Sequence, residues 1–327
     1  MFRGFIALFG LLVPMMPSAI AQEWPASNQV RITTAGPPGS PPDIIARRIG
    51  QSFARATGGT FIVENKPGAN TFIGMQDCKR GKGDGYTLCV VVSDSMSILP
   101  HLTSKLPYDP DADFVPIAAL AESNSVVVVS NSVGARNFKE VVAASKSKPG
   151  TLNWSSFGNG SVSHLSFEWL RTKSGWDVTH VPFQNPLLAV RAVLTDEAHL
   201  TYSNIGQFTQ HFESGRIIPL LTTGTTRSRY LPDVPTFSEL GYGPFSRKSW
   251  FGLFAPAGMP PDLVERINVL ARAAINEPEF KETVLNPQTL NVGLGEGTET
   301  PAGFAAFLKK DREAGGELVR ISKVSLD

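Results

Sequence analysis

The sequence predicts an α/β protein of two domains, each a mostly parallel sheet flanked by helices, with the chain returning to the first domain at its end. Three observations carry that expectation. The chain has 327 residues, 42% hydrophobic and 18% charged, which is enough for two cores of ordinary size and too apolar for intrinsic disorder. Short apolar runs of β character alternate with longer runs of helical period, the order expected of strands joined by crossover helices. The alternation occurs once before about residue 100 and again between about 125 and 240.

Element by element, Gln29–Thr34 (QVRITT) alternates as a strand and runs into a Gly/Pro/Ser loop. The helix after it repeats Ile45, Ile49 and Phe53 on one face and stops at Gly58-Gly59. Thr60–Glu64 is a second strand, Asn65-Lys66-Pro67-Gly68 a turn, and Tyr86–Val92 a strand after a short helix. In the second block, Val126–Ser130 is a bare apolar run, hence a buried strand. It is followed by a helix over Asn137–Ser145, a strand over Leu152–Ser155 and a helix from Ser161 to about Lys173. A strand over Val178–Phe183, a helix over Pro186–Thr195 and strands over Leu200–Ser203 and Pro219–Thr223 complete the block. Trp250–Ala255 is a last strand, and helices over Asp262–Ile275, Glu279–Val284 and Pro301–Ser322 close the chain. The domain assignment that results is 1–21 signal peptide, 22–124 with 245–327 domain I, and 125–244 domain II.

The signal peptide is read from Arg3, the apolar stretch Gly4–Met16 and the small-residue site Ala19-Ile20-Ala21. Pro14 and Pro17 shorten any helix there below a membrane span. A periplasmic location follows. Lys+Arg is 30 and Asp+Glu is 29, and this even balance gives no support for a nucleic-acid partner. The two cysteines, Cys78 and Cys89, are expected to pair in an oxidising compartment, the alternative being two buried thiols.

Motifs for chemistry are mostly missing. There is no phosphate-binding loop signature, no complete dinucleotide fingerprint around Gly158-Asn159-Gly160, no G-x-S-x-G elbow and no H-E-x-x-H among the five histidines. No metal, no cofactor and no enzyme activity are therefore expected. The sequence offers helix starts behind small-residue loops instead. Ser40 with Pro41 and Asp43, Ser161 after Gly158-Asn159-Gly160, and Asn185 before Pro186 each read as a cap. Such starts expose N–H groups and a partial positive charge, so they attract carboxylates, and in open α/β sheets ligands sit at the carboxyl ends of strands. Of the three, the Ser161 start is expected to dominate, with the N–H groups of Val162 and Ser163 free and hydroxyls from Ser156 and Ser161. The two prolines strip donors from the Ser40 start and are expected to delay that helix by one residue.

The order of motifs resembles the Bug family, the extracytoplasmic receptors of tripartite tricarboxylate transporters. The stretches that carry it begin with Trp24-Pro25, Pro38-Gly39, Asp43-Ile44-Ile45-Ala46-Arg47 and Val63-Glu64-Asn65-Lys66-Pro67-Gly68-Ala69. Asp84-Gly85-Tyr86-Thr87-Leu88, Leu106-Pro107-Tyr108-Asp109-Pro110, Asp113-Phe114, and Gly158-Asn159-Gly160-Ser161 with His164-Leu165 continue it. Val181-Pro182-Phe183, Leu231-Pro232-Asp233-Val234-Pro235-Thr236 and Trp250-Phe251-Gly252-Leu253-Phe254 follow. The resemblance implies a periplasmic binding protein-like type II fold, a Venus flytrap. It also implies a monomer that captures a small carboxylate or amide in its cleft and delivers it to a membrane permease of a large and a small subunit. Mapped onto this chain, the ligand loops are Gly36, Pro37, Pro38, Gly39 and Ser40, and then Ser156, Phe157, Gly158, Asn159, Gly160 and Ser161. Phe183, Gln184 and Asn185, with the strand end Tyr202-Ser203-Asn204, would close the other side. Where the family usually has Val-Pro-Tyr-Lys-Gly, this chain has Val181-Pro182-Phe183-Gln184-Asn185, losing a hydroxyl and a cation. That change favours an amide-bearing or aromatic monocarboxylate over citrate. Asp43 and His164 are read as bracing helices, and Trp250 and Phe251 as core. The competing readings are an exported α/β hydrolase, which needs Ser, His and Asp converging in the cleft, and a binding protein feeding a sensor kinase.

Overall fold

The computed structural model describes residues 24–26, 29–243 and 247–327; the expected signal peptide lies outside the described residues. Strand β1 (Val30–Thr34) leads to α1 (Pro41–Thr57), β2 (Phe61–Asn65), α2 (Phe72–Lys79) and β3 (Thr87–Val92). Helix α1 buries Ile45, Ile49 and Phe53 on the four-residue spacing of its apolar face, and Gly58 at φ 73° ends it by donating to the Ala54 carbonyl. It starts at Pro41 itself, not one residue later, because a first-turn position needs no N–H donor. The short α3 (Ser93–Ser97) follows β3 without a break, and β4 (Phe114–Ser123) completes this pass.

β5 (Ser125–Ser130) opens the second sheet. Then come α4 (Phe138–Ser147), β6 (Leu152–Ser156), α5 (Val162–Ser174), β7 (Val178–Pro182), α6 (Pro186–Leu194), β8 (Leu200–Asn204), α7 (Thr209–Glu213) and β9 (Ile217–Thr222). The chain returns through β10 (Ser249–Pro256), α8 (Pro261–Asn276), α9 (Pro278–Phe280) with a π turn to Leu285, β11 (Leu290–Val292) and α10 (Pro301–Ser322).

One sheet has the order β11-β4-β10-β3-β1-β2 and the other β7-β6-β8-β5-β9. Both are mixed rather than mostly parallel. The strands of the crossover units pair in parallel, whereas β10 runs against β3 and β4, and β5 against β8 and β9. The physical reason is the route of the chain: β4 leaves one sheet to become β5 of the other, and β10 brings it back. The sequence reading does not contain α3, β4, β11 or α7. The run Phe114–Ser123 is small and apolar with Pro116 inside it, and it lacks the alternation that marks a half-buried strand.

Each sheet has a core. The first gathers Ile32, Ile49, Phe53, Leu88, Leu253 and Ile267; the second gathers Val127, Trp154, Leu165, Phe167, Tyr202 and Leu221. Helix α10 serves both. Phe304 and Leu308 pack with Trp250 and Phe254, while Leu318 and Val319 join the second core. The strands at the crossing are tied together: Ser125 N–H donates to Thr223 Oγ1 at 3.0 Å, and Asn204 Nδ2 donates to Ser123 Oγ at 2.7 Å, from β8 to the end of β4.

Candidate functional site

A cavity of about 370 Å³ lies between the two sheets, where the strand ends of both domains converge. That volume falls within the range of pockets that bury small ligands. Ala35, Gly36, Pro37 and Ser40 form one wall, Phe157, Gly160 and Ser161 the facing one. Gln184, Asn185, Ser203 and Asn204 also reach it. Of the residues expected at the site, Pro38, Gly39, Ser156, Gly158, Asn159 and Phe183 are not among those lining the cavity. They belong to the same loops and shape them from behind.

The loop chemistry differs from the simple capping picture. Asn185 and Ser161 do cap, accepting from Leu188 N–H at 3.1 Å and His164 N–H at 3.3 Å. Ser40 does not; its hydroxyl donates to the Pro37 carbonyl at 2.6 Å. Asp43 reaches back instead and accepts from Gly39 N–H at 2.9 Å. Burial works against the charge on Asp43, but Arg47, the Gly39 N–H and Asn65 together hold its carboxyl below the usual value. Its bracing role is as the sequence indicated.

The Gly158–Ser161 loop rests on two histidines. His164 and His180 stack with centroids 4.2 Å apart and planes 5° from parallel, and Phe167 stacks on His180 at 5.3 Å. Gly160 N–H donates to His164 Nδ1 at 3.1 Å, and the Ser156 hydroxyl meets His180 Nε2 at 2.6 Å. Burial, with Arg171 nearby, lowers His164 to about 4; burial, His164 and Arg171 lower His180 to about 4. Both rings are neutral at pH 7, so the loop sits on an uncharged platform. Ser156 and Ser161 spend their hydroxyls on this platform and on the Gly158 carbonyl, which Ser161 Oγ reaches at 2.7 Å. The Ser156–His180 pair is not a hydrolase dyad facing substrate: Ser156 is fully buried off the cavity wall, and among the described residues no carboxylate hydrogen-bonds His180.

The first turn of α5 is not free either. Val162 N–H donates to Asp94 Oδ2 at 3.3 Å, and Asp94 comes from the other domain. A second contact spans the cleft, Asn70 Nδ2 to the Asn159 carbonyl at 2.7 Å. Asp94, Asn70, Thr71 and Tyr202 line the cavity, and the sequence analysis did not single out the first three. The signal for Asp94 was present: Ser93-Asp94-Ser95 stands at the carboxyl end of an apolar strand. Trp250 and Phe251 are core residues whose edges also reach the cavity. Among the described residues no three His, Cys, Asp or Glu side chains converge as metal ligands would.

The model of the tripartite tricarboxylate transporter family receptor matches residues 45–299. The chain belongs to that family. It is a solute receptor, not an enzyme, and its solved neighbours are periplasmic binding proteins. A protein encoded in the gbd 5' region of Cupriavidus necator is 29% identical over 333 residues, covering 98% of each chain. The periplasmic binding protein BugD is 26% identical with a TM-score of 0.81, over 91% of this chain and 98% of that one. MatC of Rhodopseudomonas palustris, solved with malate bound, is 25% identical with a TM-score of 0.80, over 89% of this chain and 99% of that one.

Proposed function

We propose that this receptor is exported by cleavage after Ala21, captures a small carboxylate or amide-bearing metabolite in the periplasm, and hands it to a permease of a large and a small membrane subunit. The observation that carries the reading is the cavity of about 370 Å³ walled by loops from both sheets. A ligand there touches both domains at once, so its binding energy favours the closed form over the open one. Domain I (22–124 with 245–327) and domain II (125–244) turn about the crossings near residues 125 and 240. Pro41 and Pro42 leave an apolar wall with few donors, which suits an aromatic or aliphatic body. The malate in MatC supports a small organic acid as the general class.

A thermal-shift screen of carboxylates and amides tests this on the mature chain. A ligand at 100 times its Kd adds about 2.7 kcal/mol to stability. Scattering should then show the radius shrinking with that ligand. Conversion of the bound compound to a product, or an unchanged radius with binding proven by calorimetry, would count against capture by closure.

A further inference from the structure

Among the described residues lining the cavity, one is an acid or base: Asp94, whose carboxyl is pushed up by burial while Arg247 and the Val162 N–H pull it down. Asp94 stands there with no lysine, arginine or histidine on the same wall. Among the described residues its carboxylate has two partners, both long: the Val162 N–H on Oδ2 and the Ser93 hydroxyl on Oδ1, each at 3.3 Å. An ionised carboxylate accepts about four hydrogen bonds, and charge-assisted ones run to about 2.7–2.9 Å. Most of that capacity is therefore unused. Arg247 acts on Asp94 through space, but the hydrogen bonds of the nearby guanidinium groups go to other carboxylates. Arg247 grips Asp311 at 2.5 and 2.6 Å, and Arg312 holds Asp111.

Asp94 also excludes something. It occupies the start of α5, where a ligand carboxylate would otherwise sit, and a second carboxylate placed beside it would meet like charge in a confined space. What this end of the cavity lacks is a donor, and the cavity is where one can enter.

We infer that Asp94 sets ligand specificity by accepting hydrogen bonds from an ammonium or carboxamide N–H of the ligand, so that the cleft takes an amino- or amide-bearing metabolite over the dicarboxylate of equal length. This rests on the receptor reading above. The ligand's own carboxylate then points away from Asp94, toward the side-chain amides of Gln184 and Asn185.

Titration calorimetry with matched three- to six-carbon series tests it: diacids, their monoamides and the ω-amino acids, on the wild type and on Asp94→Asn. Asparagine keeps the shape and an acceptor for Val162 but removes the charge. At the best-fitting length the wild type should bind the amino acid or monoamide at least about tenfold more tightly than the diacid, and Asp94→Asn should erase about tenfold of that preference. Asp94→Ser carries the test if the asparagine variant melts below the assay temperature. A wild type that prefers the diacid overturns the inference and leaves the receptor reading intact. A preference that neither variant changes overturns the role of Asp94. Binding by no member of the series overturns the receptor reading, and the inference falls with it.

Discussion

Gly315→Ala should cost about 2–4 kcal/mol of stability, while the same change one residue later should cost nothing. Both glycines lie inside α10, where alanine is intrinsically better by about 1 kcal/mol. Their surroundings differ. A Cβ on Gly315 would stand 1.8 Å from the Ser97 carbonyl oxygen, where real Cβ atoms keep at least 3.0 Å. Helix α10 must then part from α3 by roughly 1 Å, an overpacking strain of about 1–3 kcal/mol. Parting also stretches the 2.6 Å bond from the Ser97 hydroxyl to Asp311, and bonds to charged groups are worth about 1.5–3 kcal/mol. A Cβ on Gly316 meets the imidazole of His101 instead, at 2.9 Å; that ring is exposed and tied only by one 2.9 Å hydrogen bond to the Arg312 carbonyl, a solvent-exposed bond whose loss the helix gain of about 1 kcal/mol offsets. Urea unfolding of both variants reads the difference. Because α3 also carries Asp94, Gly315→Ala should weaken ligand binding in the same preparation. A Gly315→Ala midpoint within about 0.5 kcal/mol of wild type, or Gly316→Ala as the weaker of the two, would refute the reasoning.

Three further outcomes are expected. Cys78 on α2 and Cys89 on β3 are bonded across 11 residues with both side chains buried, so Cys78→Ala/Cys89→Ala should lose about 3 kcal/mol on the chain-entropy account; two reactive thiols in the denatured wild type would contradict the pairing. His164 and His180 take up protons near pH 4 when folded but near pH 6.5 when unfolded. Their contribution is therefore complete above about pH 6.5 and is lost as pH falls toward 4, and the His164→Gln/His180→Gln variant should show a flatter fall in melting temperature between about pH 7 and 5.5; identical slopes would dismiss the neutral platform. Asp311 accepts from Arg247, Trp250 and Ser97 in a buried cluster, so Asp311→Leu should cost about 3–5 kcal/mol by stranding the Arg247 charge. Arg247→Met/Asp311→Leu should recover much of that loss by calorimetry, and a double variant weaker than the single one would argue against stranding.

Local rules explain what the sequence by itself determined. The four-residue face of α1, its stop at Gly58, and the caps at Ser161 and Asn185 depend on neighbours within one helical turn, so they are legible in the order of residues. The loops that approach the cavity follow from strands ending where they do. Tertiary structure decided what those loops hold. Val162 looked like a free donor because its partner, Asp94, lies 68 residues away on another domain, and no spacing rule spans that distance. Ser156 looked like a ligand contact until β7 brought His180 beside it. The same holds for β4, whose apolar run acquires its register only from β10 and β11, and for Asp311, whose partners arrive from β10, α3 and the segment before β10. Periodicity records which face of a segment is buried. Which polar group meets which across a cleft is set by how two sheets, each folded by its own core, come to face one another.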